Sequence, residues 1–192
     1  MYMRITFDLD SVIFDLNELM KIAFQERGQK YVYPKSWDMN RCYSPEIAAR
    51  MYELFQDDRL YQTPLLDTKM PYILNSLMQR PGWEILFVTE RVLKQPEKSY
   101  MQLKNAGINC TYEQIYDQIG FKADILKDIK PDIHFDDSPV VVKGCLKKNV
   151  PVVMISNETT PYNYCLRNKV EHYSSLRKAL LHTGIYPASI TR

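Results

Sequence analysis

Residues 5–15 read ITFDLDSVIFD. A short run rich in β-branched and aromatic residues ends in two aspartates, Asp8 and Asp10, one residue apart. Such a run predicts a buried strand. Like-charged carboxylates at its end repel, and ionised groups are costly to desolvate. If the strand is real, a cation belongs among the carboxylates.

Three further runs have the same character: EILFVT at 84–89, DIHF before Asp136, and VPVVMIS at 150–156, with EQIYD at 113–117 a weaker fifth. Helical patterns lie between them. Residues 94–107 predict a helix ending at Gly107 in a left-handed cap. Residues 121–130 stop before Pro131. Residues 138–148 begin with Ser138 as N-cap and Pro139 in the first turn, and residues 174–184 close the chain. Strands alternating with helices predict a doubly wound, mainly parallel α/β sheet of Rossmann-like type.

One region breaks the alternation. Residues 16–64 contain no convincing strand, only NELMKIAFQERG, expected to be capped by Asn17, and SPEIAARMYELFQD, capped by Ser44, with the aromatic loop YVYPKSWDM between them. The expected organisation is therefore a core of residues 1–15 and 65–192 with a small helical insert at 16–64. Residues 67–82 return to the sheet as a crossover helix.

The chain has 192 residues, enough for one domain or a domain with an insert, and 45% of them are hydrophobic. Its 25 Lys+Arg and 23 Asp+Glu give a formal charge of +2. That balance argues against nucleic-acid or membrane-surface binding through net charge. Cys42, Cys110, Cys145 and Cys165 are scattered with no CxxC, which reads as free thiols in a reducing compartment. No run approaches the ~18 apolar residues of a membrane span. A soluble, cytoplasmic protein is expected.

Each of three strands delivers polar residues at its C-terminal end: Asp8 and Asp10, then Thr89, then Asp136 and Asp137. In open α/β sheets the site lies outside those ends. The acidic groups offer only oxygen, so the natural cation is Mg²⁺, expected on Asp8, the Asp10 backbone carbonyl and Asp136, with Asp137 an alternative ligand. The chemistry that fits is phosphoryl transfer through a carboxylate. Asp8 attacks phosphorus, Asp10 handles the leaving-group proton, and Thr89 donates to a phosphoryl oxygen. A lysine is expected to supply positive charge. Lys122 is preferred, with Lys127 and Lys98 open alternatives.

The set DLDSVIFD, LFVTER, the lysine of GFKADIL and IHFDDSP resembles the haloacid dehalogenase-like hydrolase superfamily, and the helical insert is similar to its cap domain. DLDSVIFD with Asp15, SWDM, IHFDDSP and TPYN (160–163) look like the 5'(3')-deoxyribonucleotidase family. That resemblance implies a Mg²⁺-dependent phosphatase acting on a phosphate monoester, a (deoxy)nucleoside monophosphate. The alternatives are the same chemistry on nucleic-acid ends or a sugar phosphate, or a non-catalytic relative that binds a nucleotide or protein. A departure from the family is Ser11, where glycine is usual. A response-regulator receiver would place its acidic pair first, and a P-loop's GxxxxGK[ST] is absent.

The insert is rich in aromatic residues, and an aromatic plane suits a nucleobase. Trp37, Tyr33 and Tyr43, in the loop, are expected to face substrate, whereas Phe24, Tyr52 and Phe55 are expected to fill the insert's own core. Glu90 and Arg91, following Thr89 in the same motif, are further substrate-binding candidates.

Overall fold

The structure is a computed structural model and describes residues 2–117 and 120–186. Six parallel strands form one sheet: β1 (Met3–Phe7), β2 (Trp83–Thr89), β3 (Ile115–Asp117), β4 (Ile133–Asp136), β5 (Val152–Ile155) and β6 (His172–Tyr173), in the order β3-β2-β1-β4-β5-β6. The strand order reverses between β1 and β4, which opens a crevice at their carboxyl ends. β6, a two-residue edge strand, has no run of its own in the sequence long enough to announce it.

Pleating sorts the sheet residues by parity. Ile5, Phe7, Ile85, Phe87, Phe135 and Val153 face α3 (Met70–Met78), α4 (Pro96–Asn105) and α7 (Leu176–His182). Leu86, Val88, Val152 and Met154 face α5 (Lys122–Ile129) and α6 (Pro139–Lys147). Each face is thus a separate apolar cluster, and each fully buried large side chain contributes roughly 1.5–3 kcal/mol. The predicted helices form with the expected stops. Gly107 has φ +83°, and Lys130, before Pro131, takes φ 54°. The Ser138 hydroxyl accepts from Val141 N, with Pro139 in the first turn of α6.

Between β1 and α3 lie α1 (Leu16–Gln25), α2 (Pro45–Phe55) and two short 3₁₀ turns, Met39–Arg41 and Asp58–Gln62. Among the described residues this stretch holds no strand. It has its own apolar cluster, including Leu19, Phe24, Ile47, Met51 and Leu54. The N-cap of α1 is Asp15, whose carboxylate accepts from Asn17 N, and not Asn17 itself. Asn17 is buried and its side-chain oxygen accepts from the Tyr31 hydroxyl at 2.7 Å. The two ends of the stretch are pinned together: Asp15 N donates to Pro64 O at 2.8 Å and Leu66 N to Ile13 O at 2.9 Å.

Candidate active site

The strand that opens the sequence ends at the crevice, and parity decides what meets there. Thr6, Asp8, His134 and Asp136 share the parity of the face that α5 covers. The first residue of α5, Lys122, is buried at the mouth of the sheet. Its ammonium lies 2.7 Å from Asp8 Oδ1 and 3.0 Å from Asp136 Oδ2. Of the other two candidate lysines, Lys98 pairs with Asp58 and Lys127 is exposed on α5.

Carboxylate oxygens of Asp8, Asp136 and Asp137 all lie within 4.8 Å of one another, and all three residues are buried. Burial, with the negative charge of Asp136 and Asp10, pushes the Asp8 carboxyl up to about 7 despite Lys122. Burial and the charges of Asp136 and Asp8 raise Asp137 as well. Burial also works against the charge on Asp136, but Lys122 and His134 more than offset it and hold that carboxyl at about 2. A single lysine does not offset three buried carboxylates, so two of them are pushed toward their protonated form unless a further cation joins them. An all-oxygen donor set of this kind fits a hard divalent cation.

Asp136 and Asp137 do different things. Asp136 Oδ2 accepts from Lys122 and from His134 Nε2 at 2.9 Å, and its Oδ1 accepts from Ser138 N at 2.7 Å. Both of its oxygens are thus occupied by protein donors beneath the crevice floor. Asp137 lies beyond the strand, where the chain turns into the Ser138 cap, and it lines the cavity above. Its Oδ2 accepts from the Tyr162 hydroxyl, and Asn163 Nδ2 fixes its backbone by donating to Asp137 O at 2.7 Å. Asp136, the expected ligand, and Asp137, its alternative, both belong to the carboxylate cluster, but Asp137 lines the cavity while the regular pleat ends at Asp136 and aims it at Lys122.

Asp10 is held by Arg91. The guanidinium gives Nε at 2.9 Å and Nη2 at 2.7 Å to the two carboxylate oxygens. Its Nη1 donates to Ser99 Oγ at 3.3 Å, and Ser99 in turn donates to Asp117 Oδ2 at 3.2 Å. Burial opposes the charge on Arg91, but Asp10 more than restores it and the guanidinium pKa is raised. Arg91, a candidate for substrate binding, lines the cavity and directs its donors at Asp10 and Ser99.

A cavity of about 560 Å³ stands over these groups, between the sheet and the helical stretch. Thr89, 1% exposed, lines it beside Glu90 and Asp10. Trp37 lines it too and meets the Tyr162 ring edge-on at 5.3 Å. Tyr33 and Tyr43 do not. Tyr33 packs edge-on against Tyr31 at 5.3 Å, whereas Tyr43 packs on Phe24 at 5.2 Å and donates its hydroxyl to Val32 O at 2.6 Å. Tyr52, expected in the core of the insert, is 40% exposed and lines the cavity, and Phe55 borders both. Helical spacing marks a residue's face but does not say which neighbour covers that face.

Three further residues, His134, Tyr162 and Ser99, complete the site. His134 bridges Thr6 Oγ1 at 2.8 Å and Asp136, and burial lowers its pKa, so the neutral ring donates from Nε2 to the carboxylate. A histidine inside an apolar strand was the available signal, since a buried imidazole needs partners. Tyr162 belongs to TPYN, but nothing in that string tells which carboxylate its hydroxyl reaches. Ser99 lies on the buried side of α4. Ser11, at the position where glycine is usual, has φ 60°, so the turn after Asp10 keeps the left-handed conformation without glycine.

No family model matches the chain and no curated protein sequence is similar to it. Solved structures do match. A haloacid dehalogenase-like hydrolase of Streptococcus pneumoniae superposes with a TM-score of 0.66 at 16% identity, covering 95% of this chain and 98% of that one. A HAD family hydrolase from Deinococcus radiodurans with bound phosphate and sodium gives 0.62 at 13% identity, over 96% and 97%. YfnB of Bacillus subtilis, bound to magnesium, gives 0.59 at 12% identity, over 95% and 99%. These likenesses show the haloacid dehalogenase-like fold. Among the described residues, no helix is long and apolar enough to cross a membrane.

Proposed function

We propose that the chain is a Mg²⁺-dependent phosphatase that hydrolyses a phosphate monoester through an aspartyl phosphate on Asp8, and that residues 16–64 act as its cap. The observation that carries this is the Asp8–Lys122–Asp136/Asp137 cluster at the switch point of the sheet. Solved structures of the same fold hold phosphate or magnesium, in keeping with that reading.

Asp8 and Asp137 would hold the ion with the Asp10 backbone carbonyl, and Asp136 would stand behind them, orienting Lys122. Mg²⁺, when bound, neutralises carboxylate charge and stabilises charge on the phosphoryl oxygens. A carboxylate oxygen of Asp8 attacks phosphorus in line with the leaving oxygen. Lys122, already bonded to Asp8, and Thr89 supply positive charge and a hydrogen bond to the phosphoryl group. Asp10 manages the proton. Its bidentate pair with Arg91 holds its side chain in place to take a proton from the water that hydrolyses the aspartyl phosphate. The first step needs its protonated form, which requires Asp10 to release part of the Arg91 contact.

The leaving group that suits the cavity is aromatic. Trp37, Tyr52, Phe55 and Tyr162 all line it, which favours a nucleoside monophosphate over a sugar phosphate. Phosphate release from p-nitrophenyl phosphate and from a panel of nucleotides and sugar phosphates, with Mg²⁺ and with EDTA, tests the reading. Turnover that Asp8→Asn abolishes and EDTA suppresses is expected. Undiminished activity in EDTA would refute the metal assignment. No turnover of any ester would leave the non-catalytic alternative. Trp37→Ala should raise KM for nucleoside monophosphates while leaving a small aryl phosphate nearly unchanged.

A further inference from the structure

We propose, resting on the phosphatase reading, that the cavity selects esters with a single phosphate and an apolar leaving group that is neutral or cationic, and that Glu90 is the residue that turns away a second negative charge. The charged groups of the lining carry the argument. They are Asp8, Asp10, Asp38, Glu90, Asp137, Arg91 and Lys122. Both cations are engaged at the reacting end of the cavity, Lys122 with Asp8 and Asp136 and Arg91 with Asp10. Among the described lining residues no other cation is left to receive a second phosphate or carboxylate of the substrate. The lining also holds the apolar side chains of Leu16, Met20, Trp37, Phe55 and Val140.

The two carboxylates not engaged at the cavity floor, Asp38 and Glu90, differ. Asp38 accepts from Asn40 N at 3.1 Å and lies 3.3 Å from Arg41 Nε, so part of its charge is met. Glu90 is exposed at the carboxyl end of β2, directly after Thr89, and among the described residues it makes no ion pair. Its charge acts on whatever extends from the phosphate toward the rim. An anionic substituent there meets like charge, and it gives up hydration to apolar walls that return no hydrogen bond. A neutral ring loses nothing of that kind. A cation gains both from Glu90 and from the face of Trp37.

Three aryl phosphates of equal ring size separate these cases: phenyl phosphates bearing para methyl, aminomethyl or carboxymethyl groups. The measurement is kcat/KM with Mg²⁺ for the native chain and for Glu90→Gln, compared as ratios within each protein. The carboxymethyl ester should fall on the order of tenfold below the methyl ester. The aminomethyl ester should equal or exceed the methyl ester. Glu90→Gln should shrink the gap between carboxymethyl and methyl by about threefold or more. Equal turnover of the carboxymethyl and methyl esters would overturn the selection, and a gap unchanged in Glu90→Gln would overturn the role of Glu90. Calorimetric binding of the three matching benzylphosphonates reads the same order without turnover. Absence of hydrolysis would therefore refute the phosphatase reading, whereas equal phosphonate affinities would refute the charge selection.

Discussion

Replacing Arg91 with methionine strips a buried cation from three partners at once. The residue is 3% exposed. Its guanidinium holds both oxygens of Asp10, touches Ser99 Oγ, and lies 5.0 Å from the ring centroid of Tyr61. Methionine retains much of the apolar stem and none of the donors. Asp10, whose side chain is 18% exposed, is then left without its counter-charge beside Asp8. Asp117, which burial raises and Lys94 and Arg91 hold down, loses one of the two cations that favour its ionised form. Breaking a buried pair by removing one partner costs about 3–5 kcal/mol, and the partial exposure of Asp10 sets the expectation near the lower end, about 3 kcal/mol. That is a large share of the roughly 5–15 kcal/mol by which domains are stable. Urea unfolding at constant m measures it. The R91M/D10N double variant should be more stable than the two single costs add up to, with a coupling of about 1 kcal/mol or more, because the second change removes the orphaned charge. A cost under about 1 kcal/mol for Arg91→Met with m unchanged, or strictly additive costs, would refute the claim that Arg91 exists to hold Asp10.

Three further outcomes follow from the same geometry. In EDTA the protein should lose stability between pH 4 and 7. Asp8 has its folded pKa raised to about 7 from 3.8, so across that window the folded state binds more protons than the unfolded one. The span corresponds to roughly 4 kcal/mol as an upper bound, Asp137 acts in the same direction, and Asp136, held at about 2, titrates below the window. Mg²⁺ should therefore raise Tm more at pH 7.5 than at pH 5, and equal increments would count against ion binding at Asp8. Asp137→Asn should weaken Mg²⁺ binding tenfold or more at little cost in stability, whereas Asp136→Asn should cost about 3 kcal/mol by setting an amide against three donors. The opposite pattern in titration calorimetry and urea unfolding would mean that the pair is mis-assigned. Finally, a Cβ on Gly144 would lie 2.7 Å from Ala123 Cβ and from the Phe121 ring. Gly144→Ala should cost about 1–2 kcal/mol despite its better helix propensity and should disturb Lys122 at the start of α5, so a rise in stability would refute the close α5–α6 packing.

What the sequence disclosed and what it withheld divide along physical lines. The strands under Asp8, Thr89 and Asp136 were legible because parallel strands covered on both faces are continuous apolar runs. The helices were legible from their stops, such as Gly107 and Lys130–Pro131, and from the Ser138–Pro139 start. Lys122 was legible as a candidate because the helix it opens precedes DIHFDD. The pairing of Asp10 with Arg91 was not, since an ion pair between residues 81 apart leaves no local pattern. The division between Asp136 and Asp137 was also hidden. It depends on the residue at which the pleat gives way to a helix cap, and a boundary uncertainty of one residue exchanges the two roles. The misplaced aromatics have the same origin. Tyr52 and Phe55 were expected in the insert's own core, and only the three-dimensional lining shows that both border the cavity.

The position of the insert explains why so many of these hidden contacts run through it. The chain leaves β1 at Asp8, turns through Ser11, and enters α1 at Asp15, whose N–H is tied to Pro64 O where the insert ends. Both ends of the insert are thus anchored within a few residues of the two aspartates. Its last 3₁₀ turn, Asp58–Gln62, lies on α4 through the Lys98–Asp58 pair, with Gln102 Nε2 donating to Thr63 Oγ1 at 3.0 Å just beyond it, and it brings Tyr61 onto Arg91. Its loop brings Trp37 onto Tyr162, whose hydroxyl holds Asp137. Asp10 and Asp137 are each therefore one residue removed from an aromatic ring of the insert. Asp136 and Lys122, by contrast, are bonded to each other, to Asp8 and to His134. The groups proposed to handle protons and to face the cavity belong to the part of the site that the insert touches. The lysine and the carboxylate that orients it belong to the part it does not.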